Sequence, residues 1–528
     1  MIVPNYLTKG EKMKKIIALS AVAFLSTSIY ANADVQSQID ELNAKIQKLE
    51  KQNDRQNKSL SEVKMQSAKD NIKFDVDFRT SYDNLQYESV GGVKYKNDAL
   101  YSNRLWLNMG YAPTDTMIFK GQLAYHKAFG ASPINPSSAA GYPQRGMGYD
   151  SFDWISSETL NDDKVRVREA YWLWTPKLGD FDFTASVGRR PSTNGYLANI
   201  REDDDHAKSP SGHVINMEFD GASFGVKTDL LLPGMLFKVC LGRGLTNAKA
   251  WANEADATLA NQSMASTSPN YIDDKDALDT VDMAGFIFVP YNDGQYSVQT
   301  TWYRGFNVPG MYMTDYSFGL DATPGTADDV QTWAMKNSGD MDGMAISMQA
   351  KGIGDGISDF LDDTTLFASF AWSKSHPSTK NGRTAMAAGA LGMLGADAGN
   401  MMGSDESKTG NSIWLGASMP NLTGGKFGLE WNKGSKYWRP FTYGEDTLIG
   451  SKLAARGNAY EAYWTQPLID DVFSMQVRYT YIKYDYTGSN GFFGDGGTPY
   501  SMAEAKANPM MDPIETASDL RVYFRYRY

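Results

Sequence analysis

Leu520-Arg521-Val522-Tyr523-Phe524-Arg525-Tyr526-Arg527-Tyr528 is the stretch whose alternation decides the fold. With a side-chain period of two, Leu520, Val522, Phe524, Tyr526 and Tyr528 share one face of a strand, and Arg521, Tyr523, Arg525 and Arg527 share the other. A soluble sandwich buries its apolar face. An apolar, aromatic-tipped face opposite an arginine-rich one instead suits a transmembrane barrel, with lipid outside and water inside.

The front of the chain agrees. Lys14 and Lys15 precede an apolar run from Ile16 to Ile29, and Ala31-Asn32-Ala33 follows it. Residues 1–33 therefore read as a secretory signal cleaved after Ala33, with Met13 the expected start and export through the Sec pathway. No later stretch offers about 18 uninterrupted apolar residues, so a closed barrel is the remaining way to cross a membrane. Composition fits an exported barrel: 30 Tyr, 24 Phe, 12 Trp and 49 Gly, with a formal charge of -11. That acidic balance argues against nucleic acid as a partner. The single cysteine, Cys240, cannot form an internal disulfide and reads as a small apolar strand residue.

Three segments follow one another. Residues 1–33 are the leader. Within residues 34–68, Ile39, Leu42, Ile46, Leu49, Asn53, Gln56, Leu60 and Val63 fall at alternating steps of three and four. That heptad predicts a periplasmic coiled-coil helix that needs a partner. Ile at a, Leu at d and Asn53 at an a position lean toward two strands. A single helix packed on the periplasmic wall or plugging the pore is the alternative. Residues 71–528 form the predicted barrel: Ile72, Phe74, Val76 and Phe78 alternate with Lys73, Asp75, Asp77 and Arg79. Tight turns such as Pro113-Thr114-Asp115, Pro233-Gly234 and Thr423-Gly424-Gly425 alternate with long polar loops around residues 130–163, 191–212, 247–279, 307–340, 375–411, 438–456 and 488–517. The fold class is all-β, a transmembrane antiparallel barrel of about sixteen strands, whose size leaves an aqueous channel. Strands are expected, among others, at His213 to Leu232 and Lys426 to Trp438.

The opening strand Phe74 to Arg79, Arg166-Val167-Arg168-Glu169-Ala170-Tyr171, Gly188-Arg189-Arg190-Pro191 and the closing aromatic strand give the chain its likeness. It resembles the trimeric porins of Gram-negative bacteria, and more closely an uncharacterised outer-membrane family of the epsilon branch of proteobacteria that carries an N-terminal coiled coil. The resemblance implies an outer-membrane location among lipid and lipopolysaccharide, a homotrimer, and passive diffusion of small hydrophilic solutes and ions. It also implies that the loop after the fifth strand folds into the pore. Here that loop carries Arg201, Glu202, Asp203, Asp204, Asp205 and His206. Strand phase turns Arg104, Arg166, Arg168, Arg190, Arg478, Arg521, Arg525 and Arg527 inward, so acids facing arginines would set a transverse field across a constriction. Two alternatives stand beside this. The carboxylates are a solvated loop tip, or the arginines pair with inward acids such as Asp75, Asp77 and Glu461.

No enzyme is expected. Gly221-Ala222-Ser223-Phe224-Gly225 matches a nucleophile-elbow pattern but falls within a predicted strand with no helix after it. The four histidines, His126, His206, His213 and His376, have no zinc spacing. Loop calcium at Asp273, Asp274 and Asp276 or at Asp328 and Asp329 is outweighed by ordinary solvation, so no metal or cofactor is assigned. Gly352-Ile353-Gly354-Asp355-Gly356 reads as a flexible turn. The rival reading of function is an adhesin or structural barrel, with the coiled coil contacting the cell wall.

Overall fold

The computed structural model describes residues 72–131, 160, 164–190, 192–204, 206–249, 272–273, 279–317, 330–354, 356–378, 402–404, 406–489, 499–508 and 511–528. The leader, the whole heptad segment, Asp205, Asp274, Asp276, Asp328 and Asp329 lie outside the described residues.

Sixteen antiparallel strands close on themselves. They are β1 (Lys73–Ser89), β2 (Lys94–Tyr111), β3 (Met117–Ala128), β4 (Val165–Trp174), β5 (Phe181–Arg190), β6 (Phe219–Thr228), β7 (Met235–Leu245) and β8 (Val281–Asn292). The second half is β9 (Tyr296–Ser317), β10 (Val330–Lys351), β11 (Thr365–Pro377), β12 (Thr409–Pro420), β13 (Lys426–Gly434), β14 (Gly457–Ile469), β15 (Phe473–Tyr484) and β16 (Ile514–Arg527). Each strand pairs with the next, and β1 pairs with β16 from Asp77 opposite Arg527 to Ser89 opposite Ile514.

Burial alternates as the closing strand predicts: Ala517, Asp519, Arg521, Tyr523 and Arg525 are buried, whereas Leu520, Phe524 and Tyr526 are exposed. The same two-sidedness runs round the sheet, leaving Phe78, Phe224, Leu241, Leu415 and Leu429 on the outer face. Glycines let inner-face rings lie across the neighbouring strand. Tyr303 covers Gly343, Phe367 covers Gly416 and Tyr463 covers Gly428, each pair directly opposite in register, where a Cβ would strike the ring.

Several boundaries differ from expectation. The first hairpin is joined by residues 90–93 alone, because β1 and β2 extend well past the stretches of clearest alternation. Much of 307–340 is strand in β9 and β10, which absorb the break at Asn307 and Pro309 as register shifts between Gly305, Val308 and Pro309. The connection after β10 contains a short helix, Asp359–Asp362, capped by the Ser358 side chain accepting from the Leu361 N–H.

Two corrections matter most. His213 to Glu218 does not belong to β6, and Ser435 to Trp438 does not continue β13. Residues 192–218 and 435–456 instead dock on each other and on the inner face. The Phe441 N–H donates to the Val214 carbonyl (2.9 Å) and the Asn216 N–H donates to the Phe441 carbonyl (2.6 Å), a parallel bridge at Ile215 and Phe441. Val214, Met217, Trp438 and Phe441 pack with Tyr303, Met341, Ala345 and Ala371 of the wall. This part of the interior is therefore packed and apolar, not aqueous as barrel size alone suggests, because the connecting segments carry their own apolar anchors.

Candidate functional site

The inner face of β1, β2, β15 and β16 sets an electrostatic problem. Register puts Arg79 directly opposite both Arg104 and Arg525, and Arg478 opposite Arg521. Like charges in such positions repel. Two arginines find acids within the wall: Arg525 Nε donates to Asp77 Oδ1 at 2.9 Å with a second bond from Nη2 to Oδ2, and Arg521 Nε donates to Asp83. The alternative pairing of arginines with Asp77 is thus the arrangement found there. Arg104 lies 3.9 Å from the same Asp77. Arg79 and Arg478 remain, and their counter-charge, with a further share for Arg104, comes from outside the wall.

It is Asp446, in the segment 435–456. Arg79 holds it with a two-pronged grip at 2.5 and 2.9 Å, Arg521 donates at 2.9 Å, and Arg478 and Arg104 approach to 3.5 and 3.8 Å. The Arg104 guanidinium carbon lies over the Trp106 ring, 3.6 Å from its centre. Burial by itself would raise the Asp446 carboxyl, but Arg79, Arg521 and Arg478 hold it well below the ordinary value.

Beside this cluster lies one of opposite balance. Lys452 reaches Glu430 at 2.6 Å, also bonds Glu461, and lies 3.9 Å from Glu445. Arg201, from the short helix Ala198–Arg201, meets Glu445 at 3.0 Å and Glu461 at 3.4 Å. Glu202 joins the two groups, 3.0 Å from Arg201 and 3.5 Å from Arg478. The backbone fixes the pose: Gln476 donates to the Arg201 carbonyl at 3.1 Å, Arg525 to that of Glu202 at 2.7 Å and Arg527 to that of Asp203 at 2.7 Å. Asp203 adopts a left-handed φ of 52° and pairs with Lys426 and, at 3.3 Å, with Arg527.

The remaining expected residues fall elsewhere. Arg168 donates to Gln122 at 2.5 Å and to Thr193, with Glu218 at 3.5 Å and Glu169 at 3.7 Å, so its partners are in the wall strands β3 and β4 and at the base of 192–218, and not in the acid run. Arg190 donates to Ser223 at 2.6 Å beside the Tyr171 ring. Arg166 keeps a buried Nε with no hydrogen-bond partner among the described residues. Asp204 accepts from the His206 N–H at 3.1 Å. His213 sits between Ser369 and Ser412 at 2.8 and 2.9 Å, and burial pushes its imidazole down to about 3. Asp446, Glu445 and Lys452 were missed. Their signal was the apolar spacing Trp438, Phe441, Tyr443, Leu448, Ile449, Leu453, too hydrophobic for a solvated loop.

Burial raises the Glu202 and Asp203 carboxyls, but Arg201 and Arg478 outweigh it for Glu202, and Lys426 and Arg527 for Asp203. Both, like Asp446, end below the unfolded value of about 4. The stabilisation they give is fully present above that value and is lost as pH falls through the lowered folded pKa. Trp438 fluorescence is therefore expected to show an acid transition below about pH 4. The absence of any transition there would show that other groups hold the segments.

Residues 94–528 match the family described as "Protein of unknown function (DUF3373)". The chain belongs to this family. No curated protein matches the DUF3373 chain. Solved structures similar to it include OmpT, folded in vitro, an outer membrane protein of Vibrio cholerae, with 10% identity over 87% of this chain and 97% of that one, at a TM-score of 0.41. An anion-selective porin from Comamonas acidovorans has 9% identity over 87% of this chain and 99% of that one, at 0.41. The high-pH structure of Pseudomonas putida OprB has 10% identity over 89% of this chain and 96% of that one, at 0.43. The DUF3373 description assigns no activity, so function has to come from the residues.

Proposed function

We propose that the protein is an outer-membrane porin, passing small hydrophilic solutes and ions by passive diffusion, with residues 192–218 and 435–456 together narrowing the lumen. The observation that carries this is the closed sixteen-strand barrel with an apolar outer face and a polar, charged inner one. A sheet of this size encloses more volume than its own side chains fill. In the proposal, residues 1–33 direct export, and the heptad of residues 34–68 ties copies together, three as the porin resemblance implies. Arg201, Glu202, Asp203, Arg104, Arg478, Arg521 and Arg525 belong to the constriction, and Arg166, Arg168 and Arg190 line the approach to it.

A second reading, a non-conducting structural or adhesive barrel, draws on one observation: Arg79, Arg104, Arg478 and Arg521 are almost wholly shielded from solvent, so this side of the lumen is filled. Conductance of the refolded mature chain in a planar bilayer separates the two. Discrete steps are expected for the porin, and a silent bilayer holding demonstrably inserted barrels would favour the structural reading.

A further inference from the structure

The inner face of β7–β10 is electrostatically unlike the seam. There, between the strand ends nearest the tight turns and Tyr196, Asn199 and residues 206–209, lies a recess of about 590 Å³. Its charged lining is Lys208, Lys238 and Lys351, with His206 beside them and no carboxylate among its lining residues. That is unexpected in a chain with 62 acidic and 51 basic residues.

The lysines differ in how far they are satisfied. Lys208 is partly neutralised by Glu169 at 3.2 Å. Lys238 donates only to the Ser209 hydroxyl, at 2.9 Å, and has no carboxylate partner among the described residues. Lys351 projects from the end of β10, on the same face as Gln349, and has no ion-pair partner among the described residues. At the seam each buried arginine lies within 4 Å of an acid, whereas here Lys238 and the exposed Lys351 have no carboxylate partner among the described residues. Two cations without carboxylate partners around a recess create a positive potential that concentrates anions. An oxyanion can accept from ammonium and hydroxyl donors together.

We infer that this recess binds a small oxyanion, such as phosphate or a small carboxylate, at the Lys238 ammonium beside the Ser209 hydroxyl, with Lys351 adding to the positive potential from the rim of the same recess. The site is distinct from the ion-paired seam and does not depend on whether the barrel conducts.

The test is equilibrium binding of inorganic phosphate to the full-length protein refolded in detergent micelles, with folding checked by heat-modified gel mobility. The wild type is expected to bind, and Lys238→Gln with Lys351→Gln to weaken binding about tenfold or more. Lys238→Arg should keep most of it. Lys177→Gln, on an exposed turn outside the recess, should leave it unchanged. A wild type that binds no phosphate, or a folded double variant that binds like the wild type, overturns the inference. Bilayer conductance of the same preparations is read separately: binding without conduction retains the site and removes the porin reading, and conduction without binding does the reverse.

Discussion

Asp446→Asn is expected to release the segment 435–456 from the barrel wall and to make the protein more permeable to anions. One carboxylate serves Arg79, Arg521, Arg478 and Arg104, with its shortest contact at 2.5 Å. Removing one partner of a buried ion pair costs about 3–5 kcal/mol, because the other charge is left in a poorly polarisable surrounding. Here several guanidinium groups are left at once. Their cheapest relief is water, and water can reach them only if the segment moves. The expected readings are larger single-channel conductance, a reversal potential shifted toward anion selectivity in a salt gradient, and faster proteolysis within 435–456. The selectivity shift should fade with salt, as the Debye length falls from about 10 Å at 0.1 M to about 3 Å at 1 M. Unchanged conductance together with unchanged proteolysis would mean that the apolar packing of Trp438 and Phe441, and not the charge, holds the segment.

Lys452→Met is expected to be nearly as costly but without the gain in anion preference. The lysine neutralises Glu430 and Glu461 and lies near Glu445, all of them buried. Methionine keeps most of the volume and removes the charge. Arg201 alone then faces the three glutamates, and a loss of about 3–5 kcal/mol is expected in denaturant unfolding of the detergent-refolded barrel. Adding Glu430→Leu to Lys452→Met should recover part of that loss, because replacing both members of a buried pair is far milder than breaking it. If the double variant is as unstable as the sum of the two singles, Glu430 and Lys452 are not coupled.

The wall was legible because it obeys a period of two. Asp77 and Arg79 in β1 and Arg521 to Arg527 in β16 have the phase their alternation predicts, and the strand parity follows from the turns. The interior was not legible, for two physical reasons. Charges in Glu445, Asp446 and Lys452 look the same in sequence whether water or arginine satisfies them, so a polar stretch does not declare its partner. An extended backbone also alternates its side chains whatever it pairs with. Val214-Ile215-Asn216-Met217 therefore read as the start of β6, although it pairs with Phe441 of the segment 435–456. The acid run after β5 was found, but its partition was not: Glu202 and Asp203 meet the seam arginines, whereas Arg168 turns to Glu218.

The seam also dictates an order of assembly. Val76 and Tyr528 exchange backbone hydrogen bonds at 2.8 and 2.9 Å, and the ion pairs Asp77–Arg525 and Asp83–Arg521 join residues 448 and 438 positions apart. Contacts so distant in sequence form late. Until they form, β1 and β16 are two open edges able to capture another chain, so the protein has to be shielded in transit between synthesis and insertion. When the edges do meet, a slip of one residue would turn the arginines of β16 into lipid and its aromatic rings into the lumen. A slip of two would keep the arginines inward but take Asp83 from its place opposite Arg521, so the acids of β1 favour the native register over the even slips that facing alone would allow.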